Sequence, residues 1–414
     1  PLAKAAPRKR APRLASASAL QPAGRPAKLK KVGLVARAVV RLPPIDQLRS
    51  VGEVLAAHEE HRKRYKPLEL SETWLALGQI VGHDQLEQQQ LRRCPTVLEA
   101  LTAHTLQVAH TLQPCHLPRA ALGMAQLQRV PDNALWRPTA ALWSSLAARG
   151  VKVVAEFTPA QLVDTAAAFA KARRPAPALH QALAAEATRR LGKGKGKGKG
   201  KGELSPLHIS TMAWAHASAG HADPALLEAI ATQAARRTSE FEPRELANLA
   251  WAYATVELRG SIKTPLVERV APALLDAVAA EAARRVEAFE PQELVVLLWA
   301  VAASRHPAPE LLSAAAPMVA ARAADLNTRA LIAMAWAYAT TEHDAPATHD
   351  ALAAAATRRL SRSSRRWGSK LSPQQVLTMR STLRSPELTS PLDLRVEALE
   401  DLKVEDGRSE RGER

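Results

Sequence analysis

Four tryptophans, Trp214, Trp251, Trp299 and Trp336, stand at one place in a recurring phrase. The copies read LSPLHISTMAWAHA from Leu204, FEPRELANLAWAYA from Phe241, FEPQELVVLLWAVA from Phe289 and LNTRALIAMAWAYA from Leu326. Successive tryptophans are 37, 48 and 37 residues apart, the period range of helix–turn–helix arrays. A unit this short cannot bury its own apolar face, so it must stack on copies of itself. Function in such an array is expected on a long shared surface and not in a single pocket.

Each unit reads as a helical hairpin. Pro243 suits a first helical turn, where its missing N–H costs nothing, and Glu245 favours the positive end of the helix dipole. Leu246, Leu249, Ala250 and Tyr253 then fall on one helical stripe, which Trp251 widens. After a short turn a second helix follows, as in ADPALLEAIATQAARR, with Asp223 as N-cap and Pro224 in the first turn. Its alanine runs have high helix propensity and allow close helix approach. No run with period two and β-branched enrichment occurs, so the fold class is all-α: an α-solenoid of about eight helical hairpins.

The helical-repeat array covers residues 157–390, with the four tryptophan-bearing units the clearest. A weaker copy, FTPAQLVDTAAAFA, starts at Phe157, and LSPQQVLTMRS starts at Leu371 with Ser381 in the tryptophan place. Residues 70–156 carry degenerate copies, LPRAALGMAQL from Leu117 and LSETWLALGQI from Leu70. The Gly–Lys alternation of 192–202 is read as a flexible linker or as an added phosphate contact; it has neither the Ser/Thr nor the preceding strand of a P-loop. Segments 361–370 and Glu257–Lys263 read as loops, and 391–414 as a charged tail.

Lys and Arg number 57 against 40 Asp and Glu, a formal net charge of +17. Such a balance points to a polyanionic partner, nucleic acid first and an acidic membrane surface second. Residues 1–45 form a Pro/Ala-rich arm, with eleven Lys and Arg in the first 41 positions and no acid before Asp46. The arm cannot form a packed core, and it reads either as a transit-peptide remnant or as a basic arm that lies on RNA. Every apolar run is interrupted by Arg, Glu or Gln before it reaches membrane-spanning length, so no membrane insertion is expected.

Enzyme signatures are missing: there is no Gly-x-Ser-x-Gly elbow, no His-Glu-x-x-His pair and no kinase loop. Glu245, Glu293 and Asp164 are read as helix-start carboxylates in capping or dipole roles. Cys94 and Cys115 make no disulfide framework, and with His104, His110 and His116 they lack metal-ligand spacing. No catalysis, cofactor or metal is expected.

Two families of positions recur where a ligand could lie. Pairs of arginines close the second helices: Arg189 and Arg190, Arg236 and Arg237, Arg284 and Arg285, Arg358 and Arg359. Cations stabilise helix C-termini, yet one per helix would serve. Stacked units would line the pairs into a basic ridge suited to a phosphate backbone. The second family lies one, two and five places after the proline position of the opening helix. It includes Arg244, Glu245 and Asn248; Gln292 and Glu293; His208 and Thr211; Arg329; and Gln374, Gln375 and Thr378. Side chains that both donate and accept can read base edges of single-stranded RNA, and solvated positions free to drift would vary in the same way. Trp251, Tyr253, Trp336 and Tyr338 fall on the apolar stripe and are read as core.

The phrases LANLAWAYA (Leu246–Ala254) and LIAMAWAYA (Leu331–Ala339), with FEPRE or its variants before them, resemble the octotricopeptide repeats of algal organelle proteins. They also resemble the leucine-rich helical repeats of FAST-kinase-like proteins and of subunits of mitochondrial RNA-editing complexes. The resemblance covers residues 157–380 well and 70–156 poorly. It implies binding of organellar RNA, in processing, stability or translation, within the mitochondrial matrix or the chloroplast stroma, alongside other ribonucleoprotein subunits. Octotricopeptide repeats carry a Pro-Pro-Pro-Glu-Trp-like stretch at the second helix, where this chain reads HADPALLEA, RHPAPELLS or HDAPATHDA. The alternative is a protein-binding scaffold, or a structural subunit of an organellar ribosome.

Overall fold

A computed structural model of the chain describes residues 44–130, 138–192, 203–259 and 265–364. Within them are sixteen α-helices and no strand. An N-terminal group holds α1 (Val51–His61), α2 (Pro67–His83), α3 (Gln85–Arg92) and α4 (Pro95–Val108). Six consecutive pairs follow. They are α5 (His116–Gln128) with α6 (Ala140–Val153), α7 (Pro159–Lys171) with α8 (Pro177–Gly192), and α9 (Pro206–Ala219) with α10 (Pro224–Ala235). The remaining three are α11 (Pro243–Leu258) with α12 (Pro265–Arg284), α13 (Pro291–Ala303) with α14 (Pro309–Arg322), and α15 (Thr328–Thr340) with α16 (Pro346–Ser364). The copy from Leu371, with Gln374 and Gln375, lies outside the described residues. The segment expected as a loop from 361 begins in helix, since α16 runs on to Ser364.

Packing follows the order of the chain. The opening helices α2, α5, α7, α9, α11, α13 and α15 each pack on the next, and so do the second helices α4, α6, α8, α10, α12, α14 and α16. Within each pair the two helices also touch, which is the arrangement of a helical repeat.

The local causes repeat as well. Ser205 and His208 cap α9 reciprocally, and at α11 and α13 the Glu245 and Glu293 carboxylates accept the N–H of Glu242 and Glu290. In each of those helices proline takes the first turn. Phe157, Phe241 and Phe289 precede the caps of α7, α11 and α13, and Leu162, Leu246 and Leu294 follow at the fourth helical position. All six are buried, the pattern of a hydrophobic staple that fixes the angle of entry into the helix.

The stripe residues go where the sequence assigns them. Trp251, Trp299, Trp336, Tyr253 and Tyr338 are buried, each such side chain worth on the order of 2–3 kcal/mol. Trp214 alone of the four is half-buried. The Tyr338 hydroxyl donates to the Leu312 carbonyl at 3.2 Å, and the Tyr253 hydroxyl donates to the Leu227 carbonyl. Each tyrosine therefore ties its opening helix to the second helix of the preceding pair.

At the start of the array α2 and α5 approach unusually closely. A Cβ on Gly123 would stand 2.0 Å from the Trp74 carbonyl oxygen, and one on Gly78 would stand 2.8 Å from the Gly123 Cα. The two glycines let the backbones touch.

Candidate nucleic-acid interface

The arginine pairs divide into two kinds of side chain. Glu186, one turn before its pair, is buried and holds both partners. Arg189 reaches it through Nε at 2.7 Å and Nη2 at 2.6 Å, and Arg190 through Nε at 2.7 Å. The Arg190 side chain is 8 % exposed, and its Nη2 donates to the Phe157 carbonyl at 2.6 Å, so the end of α8 is fastened to the start of α7. The same build recurs at the end of α12. Buried Glu281 pairs with Arg284 and Arg285, and Arg285 Nη1 donates to the Phe241 carbonyl at 3.1 Å. Hydrogen bonds from Arg189, Glu186's largest influence, hold the Glu186 carboxyl below its ordinary range.

In α10 the place of that acid is taken by Gln233. Arg237 is held instead by Glu240 at 2.7 Å and Glu203 at 3.7 Å, both outside the helix, and Glu203 again sits just before an opening helix. Arg190, Arg237 and Arg285 thus close their own repeat units. First arginines face solvent: Arg189, Arg236, Arg284 and Arg358 are all exposed. Arg189, Arg236 and Arg284 stand at the C-terminal ends of α8, α10 and α12, whereas Arg358 lies inside α16, which runs on to Ser364, so that pair does not close its helix; these helices pack in sequence with α14 between the last two. The side chain of Arg359 lies outside the described residues. In sequence the pairs look uniform; the signal that separates them is the Glu-x-x-Arg-Arg spacing, present in α8 and α12 and absent from α10.

The opening-helix positions also separate. Two places after the proline, His208 and Glu293 serve their own capping boxes, as does Glu245. His208 Nδ1 accepts the Ser205 N–H at 3.2 Å. One place after the proline position, Arg244 is exposed while Gln292 and Arg329 are half-buried. Gln292 Oε1 is buried and accepts no hydrogen bond from a described residue. Five places after, Thr211 and Asn248 are half-buried, but the equivalents in α13 and α15 are the buried Val296 and Ala333. The polar register therefore runs through α7, α9 and α11 and stops.

Asp164 occupies that fifth place in α7 and caps nothing, contrary to its reading as a helix-start carboxylate. It is exposed, yet desolvation by its surroundings raises its carboxyl pKa, with His208 pulling the other way. Lys171, also exposed, is pushed down, first by desolvation and then by the Arg129 guanidinium, with Arg244 adding to the push. Lys171 on α7, Arg244 on α11 and Arg129 at the end of α5 thus lie within electrostatic reach of one another.

Histidines form two partly buried clusters. His180 and His216 meet edge to face at 5.0 Å, and His221 stacks on His180 at 4.7 Å with rings 27° apart. Rings so nearly parallel cannot aim their lone pairs at one ion, and no group of three potential metal ligands occurs among the described residues. Burial pushes His180 down to about 3 and His216 to about 4. Near the N-terminus His58 Nε2 lies 3.2 Å from His104 Nδ1, and burial holds His58 at about 4. Among the described residues no helix is long and apolar enough to cross a membrane.

The structure defines an all-helical protein whose helices pack in repeat order. No model of a known protein family matches the chain, and no curated protein matches it.

Proposed function

We propose that this chain is an α-solenoid that binds single-stranded RNA in a mitochondrion or plastid, as a specificity or scaffold factor of the octotricopeptide-like kind. One observation carries the reading: a solvent-facing arginine recurs at one place in α8, α10, α12 and α16, beyond what closing each unit requires. Phosphates are met by these first arginines, Arg189, Arg236, Arg284 and Arg358, while Arg190, Arg237 and Arg285 are used within the fold. Bases are met, where they are met at all, by Thr211, Arg244, Asn248, Gln292 and Arg329 on the opening helices. The net charge of +17 supplies the long-range attraction.

The test is RNA binding by the full chain over a range of salt. Replacing all four first arginines by Ala is expected to lower the slope of log affinity against log salt by about 0.7 for each phosphate no longer neutralised. A folded variant with unchanged affinity and slope refutes the ridge. Ultraviolet crosslinking in the native cells then names the transcripts. Ribosomal RNA alone would indicate a ribosome-bound scaffold, and no crosslink above background would indicate a protein-binding array.

A further inference from the structure

The four first arginines are equivalent in sequence but not in bonding. Arg189 has two of its nitrogens on Glu186, at 2.7 and 2.6 Å, and Arg284 is paired with Glu281. A phosphate arriving at either must share a guanidinium already turned towards a carboxylate. The Arg189 pair is bidentate, matching charge and fork geometry together, while Arg284 meets Glu281 through Nη2 alone. At the corresponding place three residues before Arg236 and Arg358 stand Gln233 and Ala355. Neither arginine makes a hydrogen bond or ion pair that ties it to a described residue of its own helix, and both are exposed.

The contrast in α10 is informative because the structural task is still performed there. Arg237 is held, but by Glu240 and Glu203 approaching from outside the helix, so its neighbour Arg236 keeps its whole fork. The acid is displaced and not simply absent.

From this we infer that the residue three places before each arginine pair sets which rungs of the ridge take phosphate: Arg236 and Arg358 are the principal phosphate ligands, and Glu186 and Glu281 are internal competitors at the other two. The inference rests on the proposed RNA reading and refines it. Glu186 and Glu281 act through the arginines and are positioning residues.

The experiment uses the full chain and a labelled oligouridylate, titrated at several salt concentrations. Arg236→Ala with Arg358→Ala is expected to remove about 1.4 from the log–log salt slope, the share of two phosphates, whereas Arg189→Ala with Arg284→Ala removes less than half of that. Installing the competitor provides the converse: Gln233→Glu is expected to remove about 0.7, and Arg236→Ala added to it to change nothing further. Such silence in the double variant would not arise from a merely structural role at 233. Equal effects from the two arginine pairs overturn the inference, as does an unchanged slope for a folded Gln233→Glu protein. Should Gln233→Glu fail to fold, the two surface pairs decide alone. If all four arginines together leave binding unchanged, the ridge itself is wrong, an outcome separate from failure of the graded ridge.

Discussion

The close approach of α2 and α5 makes a quantitative prediction. Gly123→Ala would put a Cβ 2.0 Å from the Trp74 oxygen, 2.3 Å from the Trp74 carbonyl carbon and 2.7 Å from the Leu75 nitrogen. All three are backbone atoms of α2, so no side chain can swing aside, and the helices must part by about 1 Å to reach even a tight contact. Trp74 resists the shift, being fully buried with its indole N–H on Thr105 Oγ1 at 2.9 Å. Overpacking of this sort costs about 1–3 kcal/mol, here at the upper end, and the helix propensity of Ala returns about 1 kcal/mol. The net expectation is a destabilisation of about 2 kcal/mol. Gly78→Ala should be milder, because its shortest contact, 2.4 Å, is to the movable Gln126 side chain and its backbone contacts are 2.8 and 2.9 Å. Gly82→Ala, with nothing within 4 Å, should be neutral or stabilising. Urea unfolding gives the order, and hydrogen exchange of α2 and α5 amides localises it, which matters because repeat arrays open in parts. A Gly123→Ala protein as stable as the parent, or more stable than Gly78→Ala, refutes the reasoning.

Acid should weaken the fold through its buried histidines. The folded protein refuses protons at His180 and His216 that the unfolded chain accepts from pH 6.5 down to about 4, so stability falls with pH across that window. His216 alone contributes about 3 kcal/mol there, and a urea midpoint constant from pH 7 to pH 4 would contradict this. Arg190→Met removes a buried partner of Glu186 and leaves the Phe157 carbonyl without its donor, an expected destabilisation of about 2–3 kcal/mol by urea unfolding. Arg236→Met, at an exposed rung, should stay within about 0.5 kcal/mol. Equal effects from the two would mean that the arginines of a pair do not differ in role.

What the chain reveals as a sequence divides by distance along it. Opening helices are legible because their causes are local: Pro243 in the first turn and the Leu246–Tyr253 stripe act within two turns, as Asp223 does when it caps the second helix α10. The capping role of Glu245 and Glu293 is equally local and is read from the sequence as such, and His208, a base-facing candidate, serves the same cap in α9. Glu186 and Glu281 are local too, one turn before their pairs, but acids in helices are common and only the carbonyl at Phe157 or Phe241 gives the motif its meaning. That carbonyl lies 33 or 44 residues away, where antiparallel packing brings the end of a second helix back beside the start of its own unit. The His180–His216–His221 cluster and the Gly78–Gly123 contact depend likewise on how one unit lies upon the next. The N-terminal units are faint because α3 stands between α2 and α4, interrupting the hairpin that the later copies share. Residues that build a unit are therefore readable from its own phrase, whereas the exposed guanidinium that remains for a ligand becomes visible only after the fold has claimed its neighbour.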